Sequence, residues 1–230
     1  MKLTYSGKTK DVFALDNGNY LLKFKDDATG KDGVFDPGEN QVGLRIDGLG
    51  KESLAITQYF FKKIAEAGIP TCYVSADIEK AEMVVKPAIN VGGLGKGLEV
   101  ICRLRATGSF VRRYGSYVVE GAVLDSLVEI TVKDDERGDP LITKDSIIQL
   151  GLMNEQEYEL VVQYTKQIAG ILKSDMAGKG LELYDMKVEF GRTNEGQIVL
   201  SDEISAGCLR AYKDGVIVKP MDLRGYIVSS

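Results

Sequence analysis

The chain has 230 residues and a formal net charge of −5, with ordinary proportions of hydrophobic (44%) and charged (27%) residues. This length allows one large core or two small lobes. The net negative charge is unlike the excess of basic residues that is typical of nucleic-acid-binding proteins. Histidine is absent, which excludes Ser-His and Cys-His nucleophile systems and any imidazole zinc site. Carboxylate, lysine and arginine chemistry remains, and these groups suit phosphates, magnesium and acidic substrates.

The cysteines and the N-terminal sequence predict a cytoplasmic protein. Cys72, Cys102 and Cys208 share no close spacing, so we expect reduced thiols without a disulfide or a metal. The N-terminus lacks the apolar run of a signal peptide, and no stretch reaches the ~18 apolar residues of a membrane helix. We therefore expect neither a membrane nor a nucleic acid as a partner.

The N-terminal third predicts a small antiparallel sheet followed by one helix. Asn17-Gly18 is a strong hairpin signal, because both residues tolerate positive φ. The polar, glycine-rich stretch 25–50 is predicted as a long functional or mobile loop. Residues 51–67 carry apolar side chains at helical spacing, which predicts a helix. The apolar-rich runs predicted as strands are 12–15, 20–24, 71–74 and 83–86.

The rest of the chain predicts a second, larger lobe. Residues 90–97 are glycine-rich and are predicted to connect the lobes. A long helix is expected over 155–176, because its apolar residues share one face and glycines follow it. The predicted architecture is α+β, with a small antiparallel-sheet lobe (1–88) and a larger mixed α/β lobe (89–230).

The segment 181–202 carries the strongest chemical signal. A turn at 191–196 would join two strands and bring Glu189 close to Asp202, because cross-strand neighbours lie ~4.5–5.5 Å apart at Cβ. Such a carboxylate pair would hold Mg²⁺, or Lys187 would neutralise it in a cross-strand salt bridge. Strict alternation predicts one apolar face with Tyr184, Met186, Val188 and Phe190. The opposite face then carries Asp185, Lys187 and Glu189.

Two weaker signals consist of basic residues: a Gly-Lys segment near the N-terminus and a single arginine near the C-terminus. Gly7-Lys8-Thr9-Lys10 could bring backbone and ammonium groups to phosphate oxygens, although such runs are also common at exposed turns. Arg210 follows the metal candidates in the sequence and would either bind an anion or lie on the surface.

The segment 103–113 predicts an anion pocket. A strand ending at Arg103 and a helix opening near Ser109 would offer N–H groups, a hydroxyl and guanidinium groups. For Arg112 and Arg113 the pattern favours a solvated helix face.

Together these segments resemble the SAICAR synthetase family, in the same order and over nearly the whole chain. Each segment is weak alone, but their order and spacing are specific. The matching segments are Tyr5-Ser6-Gly7-Lys8-Thr9-Lys10, Phe24-Lys25-Asp26-Asp27-Ala28-Thr29, Ala67-Gly68-Ile69-Pro70-Thr71, Arg103, Ala106-Thr107-Gly108-Ser109, Gly138-Asp139-Pro140, Asp185-Met186-Lys187-Val188-Glu189-Phe190-Gly191 and Asp202-Glu203-Ile204-Ser205.

The resemblance implies a nucleotide cleft between the lobes and assigns roles to individual residues. Lys8 and Lys10 would lie near the ATP phosphates, Lys86 near the nucleotide, and Glu189 and Asp202 would hold Mg²⁺. The residues implied to bind the phosphoribosyl carboxylate substrate are Arg103, Ser109, Asp185, Lys187, Arg210 and Arg224. Those implied to act in catalysis are Lys10, Asp185, Lys187, Glu189 and Asp202.

The implied reaction belongs to de novo purine biosynthesis and uses small-molecule substrates. The carboxylate of carboxyaminoimidazole ribonucleotide is activated by ATP as an acyl phosphate, and the amine of L-aspartate then displaces phosphate. No protein nucleophile is required, because metal and lysine offset the charge on the transferred phosphoryl group. A homodimer is compatible with the sequence.

The chain departs from the family pattern at Gly207, where the family has an aspartate beside the arginine that corresponds to Arg210. It also carries an insertion around residues 92–97. Two other activities therefore stay open: a related ATP-dependent amide ligase with another carboxylate or amine, and a nucleotide-binding protein without turnover.

Overall fold

The structure, a computed structural model, describes residues 1–38, 41–93 and 97–228. Helices and antiparallel strands alternate irregularly along the chain, which confirms the α+β class. The helices are α1 (Leu49–Glu66), α2 (Ser109–Tyr114), α3 (Lys144–Gln149), α4 (Glu155–Ala177) and α5 (Pro220–Ile227), with a 3₁₀ turn at Asp135–Arg137. The strands are β1 (Lys2–Ser6), β2 (Lys10–Ala14), β3 (Tyr20–Phe24), β4 (Asp27–Lys31), β5 (Val34–Phe35), β6 (Val42–Arg45), β7 (Tyr73–Asp77), β8 (Glu82–Val85), β9 (Ile89–Asn90), β10 (Leu98–Arg105), β11 (Val123–Val132), β12 (Glu182–Arg192), β13 (Ile198–Ser201), β14 (Leu209–Lys213) and β15 (Val216–Ile217).

The N-terminal part forms a five-stranded sheet of order β1-β2-β3-β8-β7. Strands β2 and β3 pair antiparallel around the turn at Asn17 and Gly18, which confirms the predicted hairpin. The helix predicted over 51–67 is also confirmed, since α1 spans Leu49–Glu66.

The prediction of a long loop over 25–50 is wrong. Strand β4 pairs with both β5 and β6 in a separate three-stranded sheet. The polar composition conceals these strands because most of their side chains are exposed or half-buried. A Cβ atom at Gly30 would lie 2.1 Å from the carbonyl oxygen of Val34, so this glycine permits the close approach of β4 and β5.

The C-terminal part is built on a seven-stranded sheet with β12 at its centre. Its main order is β11-β10-β12-β14-β15, and β9 and β13 pair with the far half of β12. The long helix α4 packs on β12 and begins with a capping box, in which Asn154 and Glu157 exchange side-chain-to-backbone hydrogen bonds. This helix confirms the one predicted over 155–176.

The alternation predicted for β12 holds only in its second half. The pairing of β12 with β14 shifts register between Leu183 and Asp185. Leu183 therefore joins the hydrophobic core, whereas the ring of Tyr184 stacks on Tyr212 at a centroid distance of 3.7 Å. The placement of Tyr184 on the core face was wrong because a bulge inverts the side-chain order locally.

The hydrophobic core is continuous and extends from Leu22 to Ile227. The strands of the two N-terminal sheets precede residue 88, and those of the seven-stranded sheet follow it. The division into lobes at residues 88 and 89 stays a prediction. The connection predicted over 90–97 begins inside β9, and its residues 94–96 lie outside the described part of the chain. No helix in the described ranges is long and apolar enough to span a bilayer.

A partly buried carboxylate joins helices α1, α4 and α5. Asp175 on α4 accepts hydrogen bonds from Tyr59 (2.8 Å) and Lys63 (2.7 Å) of α1 and from Lys179 (2.8 Å). Lys179 also donates to the carbonyl oxygen of Ile227 in α5. Burial alone would raise the pKa of Asp175, but these three donors hold it below its usual value.

We expect Asp175→Asn to lower the free energy of unfolding by about 1.5–3 kcal/mol at neutral pH, because charge-assisted hydrogen bonds are lost. A carboxylate with a depressed folded-state pKa contributes stability above its unfolded pKa, and this contribution disappears as the pH falls through the folded value. The difference between wild type and Asp175→Asn should therefore shrink below about pH 4. Urea unfolding over a pH series measures it, with the exposed Asp125→Asn as the control. A deficit that does not change with pH would contradict this assignment.

Candidate active site

Two adjoining cavities lie where the N-terminal sheets meet β10, β12 and β14. The larger has a volume of about 660 Å³ and the smaller about 350 Å³, and both values are typical of small-molecule sites. Shared lining residues place the two cavities side by side, an arrangement with room for two neighbouring ligands. The residues that line both cavities are Pro37, Glu99, Asp135, Asp139, Lys187 and Cys208.

Lys10, at the start of β2, places a partly buried cation in the larger cavity. Its ammonium group contacts Asp202 Oδ1 at 2.8 Å and also the carboxylate of Glu203. Burial alone would lower the pKa of Lys10, but the two carboxylates outweigh it and raise the pKa above its ordinary value. Lys10 is therefore a permanently charged group. Lys8 lines the same cavity and pairs with Asp135 at 2.6 Å.

Glu189 and Asp202 lie beside each other, as the sequence predicted. Glu189 in β12 pairs in register with Ser201 of β13, and Asp202 follows directly. Burial and the charge of Asp202 raise the pKa of Glu189. The charges of Lys10 and Lys133 hold the pKa of Asp202 low despite its burial. Asp202 has φ 59°, a left-handed conformation that costs energy for a non-glycine residue and is common at functional sites.

The cations that neutralise this carboxylate pair are different from the one the sequence suggested. Lys133 forms the ion pair with Glu189, and Lys10 forms the one with Asp202. Lys187 instead contacts Glu99 at 2.7 Å. The alternative in which Lys187 bridges the carboxylates is therefore wrong, because the β10–β12 register places Glu99 within its reach.

The donor set of this carboxylate pair fits a hard cation. Both side chains offer oxygen atoms only, and both line the larger cavity with Lys10. Within the described ranges no three His, Cys, Asp or Glu side chains are grouped to hold a metal by themselves. This pattern fits Mg²⁺, which is usually held by one or two carboxylates and takes its other ligands from phosphates and water.

Asp185 fixes two arginines in the wall of the smaller cavity. It pairs in register with Arg103 of β10 and Arg210 of β14. The two guanidinium groups donate to the same Oδ2 atom at 2.9 and 2.8 Å. Arg103 also donates to Ser109 Oγ at 2.9 Å. Asp185 is 3% exposed, so its charge serves to orient the arginines and has little contact with solvent.

The helix α2 begins at Ser109, as predicted, and adds further cations to this wall. Arg112 and Arg113 are exposed, which agrees with the predicted solvated helix face, but both line the smaller cavity. Arg113 pairs with Glu129, which Arg103 also contacts.

Of two other residues predicted to lie in the site, Lys86 lines a cavity and Arg224 does not. Lys86 lines the larger cavity, on the side formed by β8. Arg224 lies on α5, pairs with Glu52 of α1 at 3.0 Å and lines neither cavity. The structure therefore does not bring Arg224 to the other site residues. Gly207 lines the larger cavity, and a Cβ atom there would meet Ser205 Oγ at an ordinary 3.5 Å.

The sequence analysis assigned no site role to Glu99, Lys133 or Asp139, although Gly138-Asp139-Pro140 is one of the segments that resemble the family. Glu99 had a signal of its own: Glu99, Ile101 and Arg103 alternate on β10, and the charges of Glu99 and Arg103 complement those of Lys187 and Asp185 on β12. Lys133 and Asp139 lie in an irregular segment after β11, where no periodicity indicates which side chains face the site.

Comparison with known proteins identifies the family. A family model described as SAICAR synthetase matches residues 3–218. The chain is 55% identical to the phosphoribosylaminoimidazole-succinocarboxamide synthase of Clostridium tetani, over 99% of this chain and 100% of that protein. The synthase of the same name from Ehrlichia chaffeensis has a similar structure (TM-score 0.84, 26% identity, 99% of this chain and 93% of that chain). A SAICAR synthetase (type 2) solved in complex with ADP is also similar (TM-score 0.82, 30% identity, 96% and 89%). The chain belongs to the SAICAR synthetase family.

Proposed function

We propose that this protein is an ATP-dependent carbon–nitrogen ligase that forms SAICAR in de novo purine biosynthesis. It activates the carboxylate of carboxyaminoimidazole ribonucleotide as an acyl phosphate and condenses it with L-aspartate. One observation carries the proposal: the cavity with Lys10, Glu189 and Asp202 adjoins the cavity with Arg103 and Arg210, and six residues line both. A phosphoryl donor and an anionic acceptor can therefore meet inside one site. The similar proteins are named for the same activity, which supports the proposal.

In this proposal the larger cavity binds ATP. Lys8 and Lys10 bind the phosphates, and Lys86 lies near the nucleotide. Glu189 and Asp202 hold Mg²⁺, which when bound offsets charge on the phosphates. The sheets of residues 1–88 supply the lysines, and residues 89–230 supply the carboxylates, so the nucleotide lies between the proposed lobes.

The smaller cavity binds the phosphoribosyl carboxylate. Arg103, Ser109 and Arg210 donate hydrogen bonds to its anionic groups, and Asp185 holds both guanidinium groups in place. Lys187 lies where the cavities meet, and its ammonium group can stabilise negative charge on the carboxylate as the phosphoryl group arrives. Because these groups are fixed before the substrates bind, little reorganisation accompanies the reaction.

The remaining properties of the enzyme follow from its substrates and charge. We place the activity in the cytoplasm, with small molecules as its partners. The net charge of −5 favours neither nucleic acid nor an anionic membrane surface. The homodimer that the sequence allows stays a prediction.

A related ligase with another acid or amine is the second candidate, because Gly207 leaves the cavity wall without the family's carboxylate. An assay of ADP release tests both candidates. Carboxyaminoimidazole ribonucleotide is combined with ATP, Mg²⁺ and a panel of amino acids. We expect release to depend on aspartate and to yield SAICAR. Release only with another amine or acid would favour the related ligase, and ATP binding without any release would contradict both.

We expect Lys10→Ala to weaken ATP binding about ten- to hundredfold, because a charge-assisted hydrogen bond to phosphate is worth about 1.5–3 kcal/mol. Isothermal titration with ATP measures the change. Lys23→Ala is the matched control, because Lys23 lies on the adjacent strand, is 54% exposed and lines neither cavity. Thermal melting checks that the variant is folded. Unchanged ATP affinity in a folded Lys10→Ala protein would refute the assignment.

We expect Glu189→Gln and Asp202→Asn to reduce turnover strongly and to raise the Mg²⁺ concentration needed for half-maximal activity. Each change keeps the shape of the side chain and removes one charge from the proposed ion site. Titration of Mg²⁺ in the ADP-release assay measures the shift. Glu182→Gln is the control, because Glu182 is an exposed carboxylate on the same strand. Near-normal activity with an unchanged Mg²⁺ requirement would exclude the altered residue as a ligand.

A further inference from the structure

A carboxylate at the junction of the two cavities has no ion-pair partner in the described part of the chain. Asp139 lines both cavities. Its Oδ1 atom accepts a hydrogen bond from the backbone N–H of Asp134 at 2.6 Å. Among the described residues, no group donates to its Oδ2 atom. One oxygen is therefore anchored, and the other is available to a ligand.

The two other acidic residues at the junction are already occupied. Glu99 pairs with Lys187 at 2.7 Å, and Asp135 pairs with Lys8 at 2.6 Å. Asp139 is thus the carboxylate of this junction that can bind an incoming cation without first breaking an ion pair.

The backbone holds Asp139 in a defined position. Its φ of 48° lies in the left-handed region, which costs energy for a non-glycine residue. The hydrogen bond to the Asp134 N–H ties the side chain to the preceding 3₁₀ turn. Strained residues of this kind persist where the surrounding structure fixes them, and they cluster at functional sites.

The electrostatic surroundings make Asp139 more basic than an ordinary aspartate. Partial burial raises its pKa, and the charges of Glu99 and Asp135 act in the same direction. The hydrogen bond from the Asp134 N–H and the charge of Lys187 oppose this rise without cancelling it. A carboxylate with a raised pKa accepts a proton more readily in the transition state.

We propose that Asp139 binds the ammonium group of the amino-acid substrate and accepts its proton during amide formation. This inference rests on the proposed function, in which an acyl phosphate forms where the cavities meet. An amino acid carries an ammonium group at neutral pH, and its nitrogen has no free electron pair until a proton leaves. An N–H bond therefore breaks, and the proton passes to the Asp139 carboxylate. The nitrogen electron pair forms the C–N bond, and the C–O bond to phosphate breaks as phosphate departs with the electron pair of that bond. The second N–H proton, which the nitrogen must lose to become an amide, passes to the departing phosphate.

The variant Asp139→Asn tests this role with little structural disturbance. Asparagine keeps the Oδ1 acceptor for the Asp134 N–H and also tolerates a left-handed backbone. It removes the negative charge and the capacity to take a proton. Asp145→Asn is the matched control, because Asp145 is exposed on α3 and lines neither cavity.

Two nucleophiles separate the proposed role from a structural one. Aspartate must lose a proton, whereas hydroxylamine is largely uncharged at neutral pH and attacks acyl phosphates without help from a base. We expect Asp139→Asn to lower kcat/KM for aspartate by about 10²- to 10⁴-fold, the usual contribution of a general base. Release of ADP with carboxyaminoimidazole ribonucleotide and hydroxylamine should stay within a few-fold of wild type.

Two results would overturn the assignment of Asp139. One is aspartate-dependent turnover close to wild type, and the other is an equal loss with both nucleophiles, which indicates a general structural defect. If the wild-type protein released no ADP with either nucleophile, the proposed function itself would fail, and the role of Asp139 would fail with it.

Discussion

The site depends on the neutralisation of three charges on one face of β12. Asp185, Lys187 and Glu189 project from alternate positions of this central strand, and each charge is at least partly buried. A buried charge without a partner costs several kcal/mol. Neighbouring strands and the segment after β11 supply the partners, which are Arg103 and Arg210, Glu99, and Lys133. The register of β10, β12 and β14 therefore compensates the charges of Asp185 and Lys187.

The same ion pairs prepare the site for anionic and metallic ligands. Without ligands, Lys10 is held by Asp202 and Glu203, and Lys133 is held by Glu189. A phosphate group can replace a carboxylate as the partner of a lysine, and a divalent cation can replace a lysine as the partner of a carboxylate. Binding thus exchanges partners and leaves none of these protein charges without a counter-charge. This exchange explains why folding and nucleotide binding can use the same residues.

The sequence predicted the local features of the site but not its long-range contacts. The hairpin that joins Glu189 to Asp202 was predictable because alternation and a turn lie within one short segment. Lys10 and Arg103 were candidates from their local pattern, and the resemblance to the family assigned their roles. The pairing of Lys133 with Glu189 was not predictable, because it depends on the fold between two distant segments. The strands within residues 25–50 were predicted as a loop because strands with exposed or half-buried side chains lack an apolar pattern in the sequence.

A crystal structure with Mg²⁺ and a non-hydrolysable ATP analogue tests the exchange of ion-pair partners most directly. The Lys10 ammonium group should contact phosphate oxygens, and Glu189 and Asp202 should coordinate the ion. The Lys133–Glu189 contact should be broken or lengthened accordingly. A bound nucleotide whose phosphates lie away from Lys10, with the Lys10–Asp202 and Lys133–Glu189 pairs unchanged, would show that these charges stabilise the fold alone.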